Sequence, residues 1–254
     1  MTQLNSREKG QGNPILLIHG FPFNQKIWSG FDDRLSDQYR VITIDLPGFG
    51  GSPALKKGFT LEHVAQTLLD FLNDKNLLTV DVVGHSLGGY VALALVEIAP
   101  ERFSSLTLFH STAYADSPEK KESRSKVVEF VQKNGAAPFT TGFIPPLFSN
   151  PGHSAVETVR KIASEASEEA VIGYTLAMKD RQDQIKTLER YKNPTLYLAG
   201  EKDAGIPVDS ILKQASHCKK PQIHILPDVA HMGMFEKPED TSAKIKDFVS
   251  KTHA

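Results

Sequence analysis

The run Val82-Val83-Gly84-His85-Ser86-Leu87-Gly88-Gly89 constrains the fold of this 254-residue chain more than any other stretch. The apolar residues before Ser86 read as a buried strand, and Tyr90-Val91-Ala92-Leu93-Ala94-Leu95 after it reads as a helix. Between them stands a Gly-x-Ser-x-Gly pentapeptide, which predicts a turn too tight for side chains at Gly84 and Gly88. A serine on such a strand-to-helix turn is held exposed, with its hydroxyl at a helix N-terminus.

The flanking sequence predicts what that turn is embedded in. Leu4 to Glu8 reads as a short first strand, followed by turn chemistry in Gly10-Gln11-Gly12-Asn13-Pro14. Ile15-Leu16-Leu17-Ile18 is a continuous apolar run, as expected of a strand buried on both faces of a parallel sheet. It ends at His19-Gly20-Phe21-Pro22. A helix is expected through Trp28 and Leu35, then a strand at Val41-Ile42-Thr43-Ile44 and a glycine-rich loop from Asp45 to Ser52. Leu61, Val64, Ala65, Leu68, Leu69 and Leu72 recur at helical spacing. Leu106 to Phe109 supplies a further strand. Alternation of this kind predicts an α/β fold with a mostly parallel, doubly wound sheet.

The alternation stops after Phe109. From about Thr112 to Tyr191 there are helical segments and no convincing strand, so residues 112–190 read as an all-helical insertion and residues 1–111 and 191–254 as the α/β core. Ser117-Pro118-Glu119 opens one helix and Gly135 closes it. Phe139, Phe143, Ile144, Pro145, Pro146, Leu147 and Phe148 form an aromatic, proline-interrupted patch, and Ser167 to Met178 reads as another helix. The sheet resumes at Pro194 to Gly200 and ends with Gln222 to Leu226. A last helix opens at Pro238.

Serine is a poor nucleophile at neutral pH and needs a positioned base, which in turn needs a group to fix its tautomer. On such a sheet the partners follow in the order serine, acid, histidine. Asp203 lies just past the strand ending at Gly200, and His231 just past the last strand. Open α/β sheets place their sites at such strand ends. Ser86, Asp203 and His231 therefore form the expected catalytic triad. Asp228 competes for the acid's place and His217 and His224 for the base's; Asp228 better suits a turn after Pro227, and neither histidine is placed like a base. His85 should point away from the nucleophile, His19 should brace its loop, and Asp45 and Ser52 read as residues that fix theirs. The oxyanion formed on a carbonyl needs two fixed donors. The backbone N–H groups of Leu87 and Phe21 are the expected pair.

These residues resemble the α/β-hydrolase superfamily, in its lidded, cofactor-independent esterase, lactonase and C–C hydrolase branch. The resemblance rests on His19-Gly20-Phe21-Pro22, Asp45-x-Pro47-Gly48-x-Gly50-x-Ser52, Gly84-x-Ser86-x-Gly88, Gly200-x-x-Asp203 and His231, and spans nearly the whole chain. It implies a mostly parallel eight-stranded sheet with a helical lid after the sixth strand. Little room remains here for the usual N-terminal hairpin, so one strand is expected to be short or absent. Around Met178-Lys179-Asp180-Arg181 the insertion is similar to the lids of bacterial 3-oxoadipate enol-lactonases. Haloalkane dehalogenases and epoxide hydrolases resemble this scaffold but use an aspartate where this chain has Ser86, which argues for acyl chemistry.

Composition narrows the ligand. At 40% hydrophobic and 23% charged residues with a formal net charge of −1, the chain has no electrostatic footprint for nucleic acid or an anionic membrane. The expected partner is a small ester or lactone, neutral or weakly charged. Phe139, Phe143, Phe148 and Met178 are candidates to line a partly apolar pocket, and the lysine pairs at 56–57, 120–121 and 219–220 read as solvated surface. No Cys/His cluster, Walker loop or complete dinucleotide fingerprint occurs, so no metal or other cofactor is implied. Cys218 is the one cysteine, and with a polar N-terminus it fits the cytoplasm. Homo-oligomerisation is left open. The expected activity is a serine hydrolase of the carboxylesterase or lactonase type. The alternatives are C–C hydrolysis of a diketone by the same triad and a ligand sensor without turnover.

Overall fold

A computed structural model describes residues 3–253 of the chain. Its sheet has seven strands: β1 (Ser6–Lys9), β2 (Pro14–Ile18), β3 (Arg40–Ile44), β4 (Val80–His85), β5 (Phe103–Phe109), β6 (Thr195–Gly200) and β7 (Pro221–Leu226). Their order across the sheet is β1-β3-β2-β4-β5-β6-β7. All pairings are parallel except that of β1 with β3. The eighth strand implied by the family resemblance is absent among the described residues. Where a hairpin would stand, β1 alone covers the edge, with Ser6 opposite Ile44 and Lys9 opposite Val41.

Strand polarity explains why both faces of the sheet are covered. Successive side chains of a strand point to opposite faces. On β2, Leu16 and Ile18 join one apolar cluster and Ile15 and Leu17 the other. The first cluster is closed by α2 (Leu61–Asp74) and α3 (Leu87–Ile98), the second by α1 (Phe31–Leu35) and, in the C-terminal region, by the helix over Pro238–Thr252. The helix expected through Trp28 and Leu35 is instead a short 3-10 turn at Gln25–Trp28 followed by α1. Gly30 separates them at φ 80°, a left-handed conformation that ends one helical segment and starts the next. The helix α2 opens with a reciprocal cap, the Thr60 hydroxyl accepting from the His63 N–H while His63 Nδ1 accepts from the Thr60 N–H.

Between β5 and β6 the chain runs through α4 (Pro118–Asn134), α5 (Ala136–Phe143), α6 (Val156–Ala163), α7 (Glu168–Asp180) and α8 (Ile185–Arg190), with no strand among the described residues. Ser117 and Ser167 cap α4 and α7 through their hydroxyls, accepting from the N–H groups of Lys120 and Ala170. Gly135, at φ 81°, ends α4. This helical segment shares both apolar clusters: Val171, Tyr174 and Met178 pack into the first, Ile144, Phe148 and Val159 into the second. Polar ties add to the packing, with the Tyr174 hydroxyl donating to Pro47 O at 3.0 Å and Lys26 pairing with Glu165 at 2.7 Å. The remaining helices are α9 (Val208–Ala215), α10 (Gly233–Glu236) and α11 (Pro238–Thr252). No helix among the described residues is long and apolar enough to cross a membrane.

Candidate active site

Parallel strands bring all their C-terminal ends to one edge of the sheet, and five of the loops leaving that edge carry the candidate residues. Phe21 follows β2, Ser86 follows β4, His110 follows β5, Asp203 follows β6 and His231 follows β7. The elbow is built by glycines. A side-chain carbon at Gly84 would overlap the backbone of Gly88 and Gly89, and one at Gly88 would overlap the carbonyl oxygen of Ile18. The absence of both lets α3 start directly above β4 and against the end of β2. Ser86 itself is held at φ 52° and ψ −114°, a conformation sparsely populated for any residue with a side chain. Its N–H donates to Phe109 O at 2.9 Å, and Ser111 Oγ donates to its carbonyl at 2.8 Å, so the end of β5 and the loop after it fix the strained turn.

Asp203 is buried, and its two carboxylate oxygens have separate tasks. Oδ1 accepts from the N–H groups of Gly205 at 2.9 Å and Ile206 at 3.0 Å. Oδ2 accepts from His231 Nδ1 at 2.7 Å. Burial pushes this carboxyl up, but His231 and His110 beside it outweigh burial and hold it far below the ordinary carboxylate range. With Nδ1–H given to Asp203, the other ring nitrogen of His231 is the one left free to act as a base. The His231 backbone is pinned from two sides: its N–H donates to Leu147 O at 2.9 Å, and its carbonyl accepts from His85 Nε2 at 2.9 Å. Asp228, the competing acid, is instead exposed and paired with Lys202 at 2.7 Å. His217 pairs with Glu189 and His224 lies within β7, both on other surfaces.

The histidines that do not meet the cavity are bracing groups. His19 donates Nδ1–H to Gly20 O at 2.8 Å and accepts from Leu46 N–H at Nε2 at 3.0 Å, tying the Phe21 loop to the loop after β3. Burial lowers it to about 4, so it stays neutral in this role. Asp45 accepts from the N–H of Gln25 at 2.7 Å and of Gly51 at 2.9 Å, and Ser52 Oγ donates to Asp45 O at 2.6 Å. Both therefore fix loops. His85 is fully buried, and burial holds it well below the ordinary histidine value. A side-chain carbon at Gly20 would run into its Nδ1, which is why the loop can pass so close.

His110 is a functional neighbour the sequence did not reveal. It is fully buried at φ 49°, its Nδ1 lies 3.5 Å from Asp203 Oδ2, and its Nε2 accepts from Gly233 N–H at 3.2 Å. Burial keeps it below the ordinary histidine value, and thus neutral. The signal available was its position alone, one residue past a strand end. His110, Asp203 and His231 offer ligand atoms within 4.8 Å of one another, the spacing of a metal site. His110 Nδ1 also receives the Gly200 N–H at 3.2 Å, while Asp203 Oδ2 is held by His231 at 2.7 Å.

Ser86, Asp203 and His231 open onto one cavity of about 350 Å³, within the range of small-ligand pockets. Phe21, Phe139, Phe143 and Met178 line it, and Phe21 meets the rings of Phe139 and Phe143 at 6.2 and 6.0 Å. Phe148 does not line it: that ring stacks on His153 at 5.2 Å within the other apolar cluster. Leu87 is the first residue of α3, where an N–H has no partner inside the helix. Lys120 and Arg124 also stand in the cavity wall. The helix α4 turns Lys120, Arg124 and Val127 to this side at helical spacing.

The fold recurs in known proteins. The chain is 33% identical to a thermophilic esterase from Thermogutta terrifontis, solved with malate bound, which superposes with a TM-score of 0.93 over 99% of this chain and 94% of that one. It is 28% identical to the pimeloyl-[acyl-carrier protein] methyl ester esterase of Aeromonas hydrophila over 94% of this chain and 96% of that protein. It is 30% identical to the dihydrolipoyllysine-residue acetyltransferase component of the acetoin cleaving system of Pseudomonas putida, over 94% of this chain and 64% of that protein. The chain thus spans less than two thirds of that relative's length. The alpha/beta hydrolase family model matches residues 15–244. With the sheet order, the elbow and this match in agreement, the chain belongs to the α/β-hydrolase family.

Proposed function

We propose that the chain is a serine hydrolase that cleaves a small carboxylic ester or lactone through an acyl-enzyme on Ser86. The observation that carries the reading is the 2.7 Å contact between His231 and the buried Asp203 in the cavity that Ser86 enters from a strained elbow. In this reading Ser86 Oγ attacks the carbonyl carbon and passes its proton to His231, whose positive charge Asp203 offsets. The N–H groups of Phe21 and Leu87 hold the oxyanion. Collapse breaks the acyl C–O bond, and the leaving oxygen takes the proton from His231. Water then gives its proton to His231, attacks the acyl carbon and releases the acid, returning the proton to Ser86. Residues 112–190 serve as the lid that gives the cavity its aromatic wall, over a core of residues 1–111 and 191–254.

Hydrolysis of p-nitrophenyl esters from acetate to octanoate, run beside Ser86→Ala, tests the reading. Turnover by the wild type that falls with chain length and disappears in the variant supports it. Equal rates in the two proteins, or no turnover of any ester by the wild type, overturn it.

A further inference from the structure

The cavity wall carries two cationic side chains, Lys120 and Arg124. Asp116, at the start of the helical segment, is buried and faces two guanidinium groups. Arg181 Nη1 lies 2.8 Å from Asp116 Oδ1, the same guanidinium donates to Met178 O and Tyr114 O at 2.8 Å each, and its central carbon sits 4.0 Å from the Tyr90 ring centre. That side chain is spent on holding the end of α7. Arg124 adds a second cation to the same carboxylate, through Nε only. Its two Nη groups have no protein partner among the described residues, although its side chain is largely buried.

Lys120 stands one helical turn earlier on the same face of α4. It has no carboxylate within salt-bridge distance among the described residues, and its ammonium donates to Gly205 O at 3.4 Å. Gly205 also donates its N–H to Asp203, so the ammonium lies over the loop that carries the triad's acid. Arg124 and Arg181 thus share Asp116, while Lys120 meets no carboxylate among the described residues.

Resting on the serine-hydrolase reading, we propose that Lys120 and Arg124 form a subsite for a carboxylate carried by the substrate, so that the preferred ester or lactone is a monoanion. The free Nη pair of Arg124 can meet both oxygens of a carboxylate, a geometry for which guanidinium is suited. The Phe139 and Phe143 rings supply the apolar wall along which a short aliphatic chain would run between that carboxylate and the carbonyl at Ser86.

The test compares monomethyl glutarate with methyl pentanoate, which differ in little besides the terminal carboxylate, with Ser86→Ala as the background. The wild type is expected to prefer the anionic ester at least about tenfold in kcat/KM. In Arg124→Met and Lys120→Met that ratio should fall by about tenfold, mainly through KM for the anion. A wild type that prefers methyl pentanoate, or variants that keep the wild-type ratio, overturn the subsite. Failure to turn over either ester would count against the hydrolase reading instead. The subsite is then decided by calorimetric binding of glutarate to Ser86→Ala: saturable binding that Arg124→Met abolishes supports it, and no binding overturns it.

Discussion

His110 Nδ1 lies 3.5 Å from Asp203 Oδ2, the same oxygen that holds His231 at 2.7 Å. One carboxylate oxygen therefore faces two imidazoles, one at the cavity and one fully buried behind it. The buried ring also takes the N–H of Gly233, two residues beyond His231, so it connects the acid's loop with the base's loop. On the serine-hydrolase reading His110 would act through Asp203, as a positioning residue. His110→Leu strands the Gly200 and Gly233 N–H groups that meet the ring and removes the imidazole beside Asp203, a cost of about 1–3 kcal/mol. The variant is expected to lose up to roughly a hundredfold in kcat/KM and to shift the acid limb of its pH–rate profile. His110→Asn keeps a donor and an acceptor and tolerates φ 49°, so it should recover most of the rate. Equal losses in the two variants would remove the positioning role.

The strain at Ser86 predicts a separation of stability from activity. Its φ and ψ of 52° and −114° suit glycine and no other residue, and strain of this kind is of order 1–3 kcal/mol. Both Ser86→Gly and Ser86→Ala remove the hydroxyl and should abolish turnover. Urea unfolding should find Ser86→Gly more stable than Ser86→Ala by about 1 kcal/mol, since glycine relieves the strain at some cost in unfolded-chain entropy. An alanine variant as stable as the glycine one would mean that the elbow stores no strain.

Three buried histidines predict how stability follows pH. His19, His85 and His110 are all held below the ordinary histidine value, each chiefly by burial. A base whose folded pKa is depressed stays unprotonated in the native state while the unfolded chain takes up the proton. Its contribution is fully present above the unfolded value near 6.5 and is lost as pH falls from there toward the folded value, about 4 for His19. That interval alone corresponds to roughly 3 kcal/mol for His19. Asp203 does not oppose this trend, because its lowered carboxyl begins to cost stability only below the ordinary carboxylate value. Urea unfolding between pH 7.5 and 5 should show stability falling, with an uptake of about two to three protons on unfolding near pH 5.5. A flat profile would show that these rings are solvated.

Much of this arrangement is legible in the sequence because the elements that carry it are locally determined. Ile15 to Ile18 is a continuous apolar run and Val82-Val83 leads straight into the glycine-flanked turn, and they became the cores of β2 and β4. Ser86 announces itself through glycines at fixed offsets. The rest depends on contacts between distant segments. Phe148 sits in the same aromatic patch as Phe139 and Phe143, yet the 3-10 turn at Pro145–Leu147 sends it to the other apolar cluster. Lys120 and Arg124 look like ordinary solvated cations until the packing of α4 fixes which face turns inward. His110 follows a strand as many loop residues do, and only the return of β6 and β7 beside β5 brings Asp203 and Gly233 to its ring.

Asp203 and Asp228 give the sharpest single comparison, because both lie in loops after neighbouring strands and both could serve His231 on sequence grounds. Asp203 is buried and accepts from His231, Gly205 and Ile206, whereas Asp228 is exposed and its carboxylate meets Lys202. Asn at 203 would present an amide to Nδ1 and favour the wrong imidazole tautomer. Turnover of a p-nitrophenyl ester should fall about 10³- to 10⁴-fold in Asp203→Asn. Asp228→Asn removes one exposed ion pair of little energetic value and keeps a residue that accepts φ 59°. Its turnover and thermal midpoint should stay close to wild type. The reverse pattern, with Asp228→Asn inactive and Asp203→Asn active, would assign the acid to the other loop and would require His231 to turn away from the cavity that Ser86 enters.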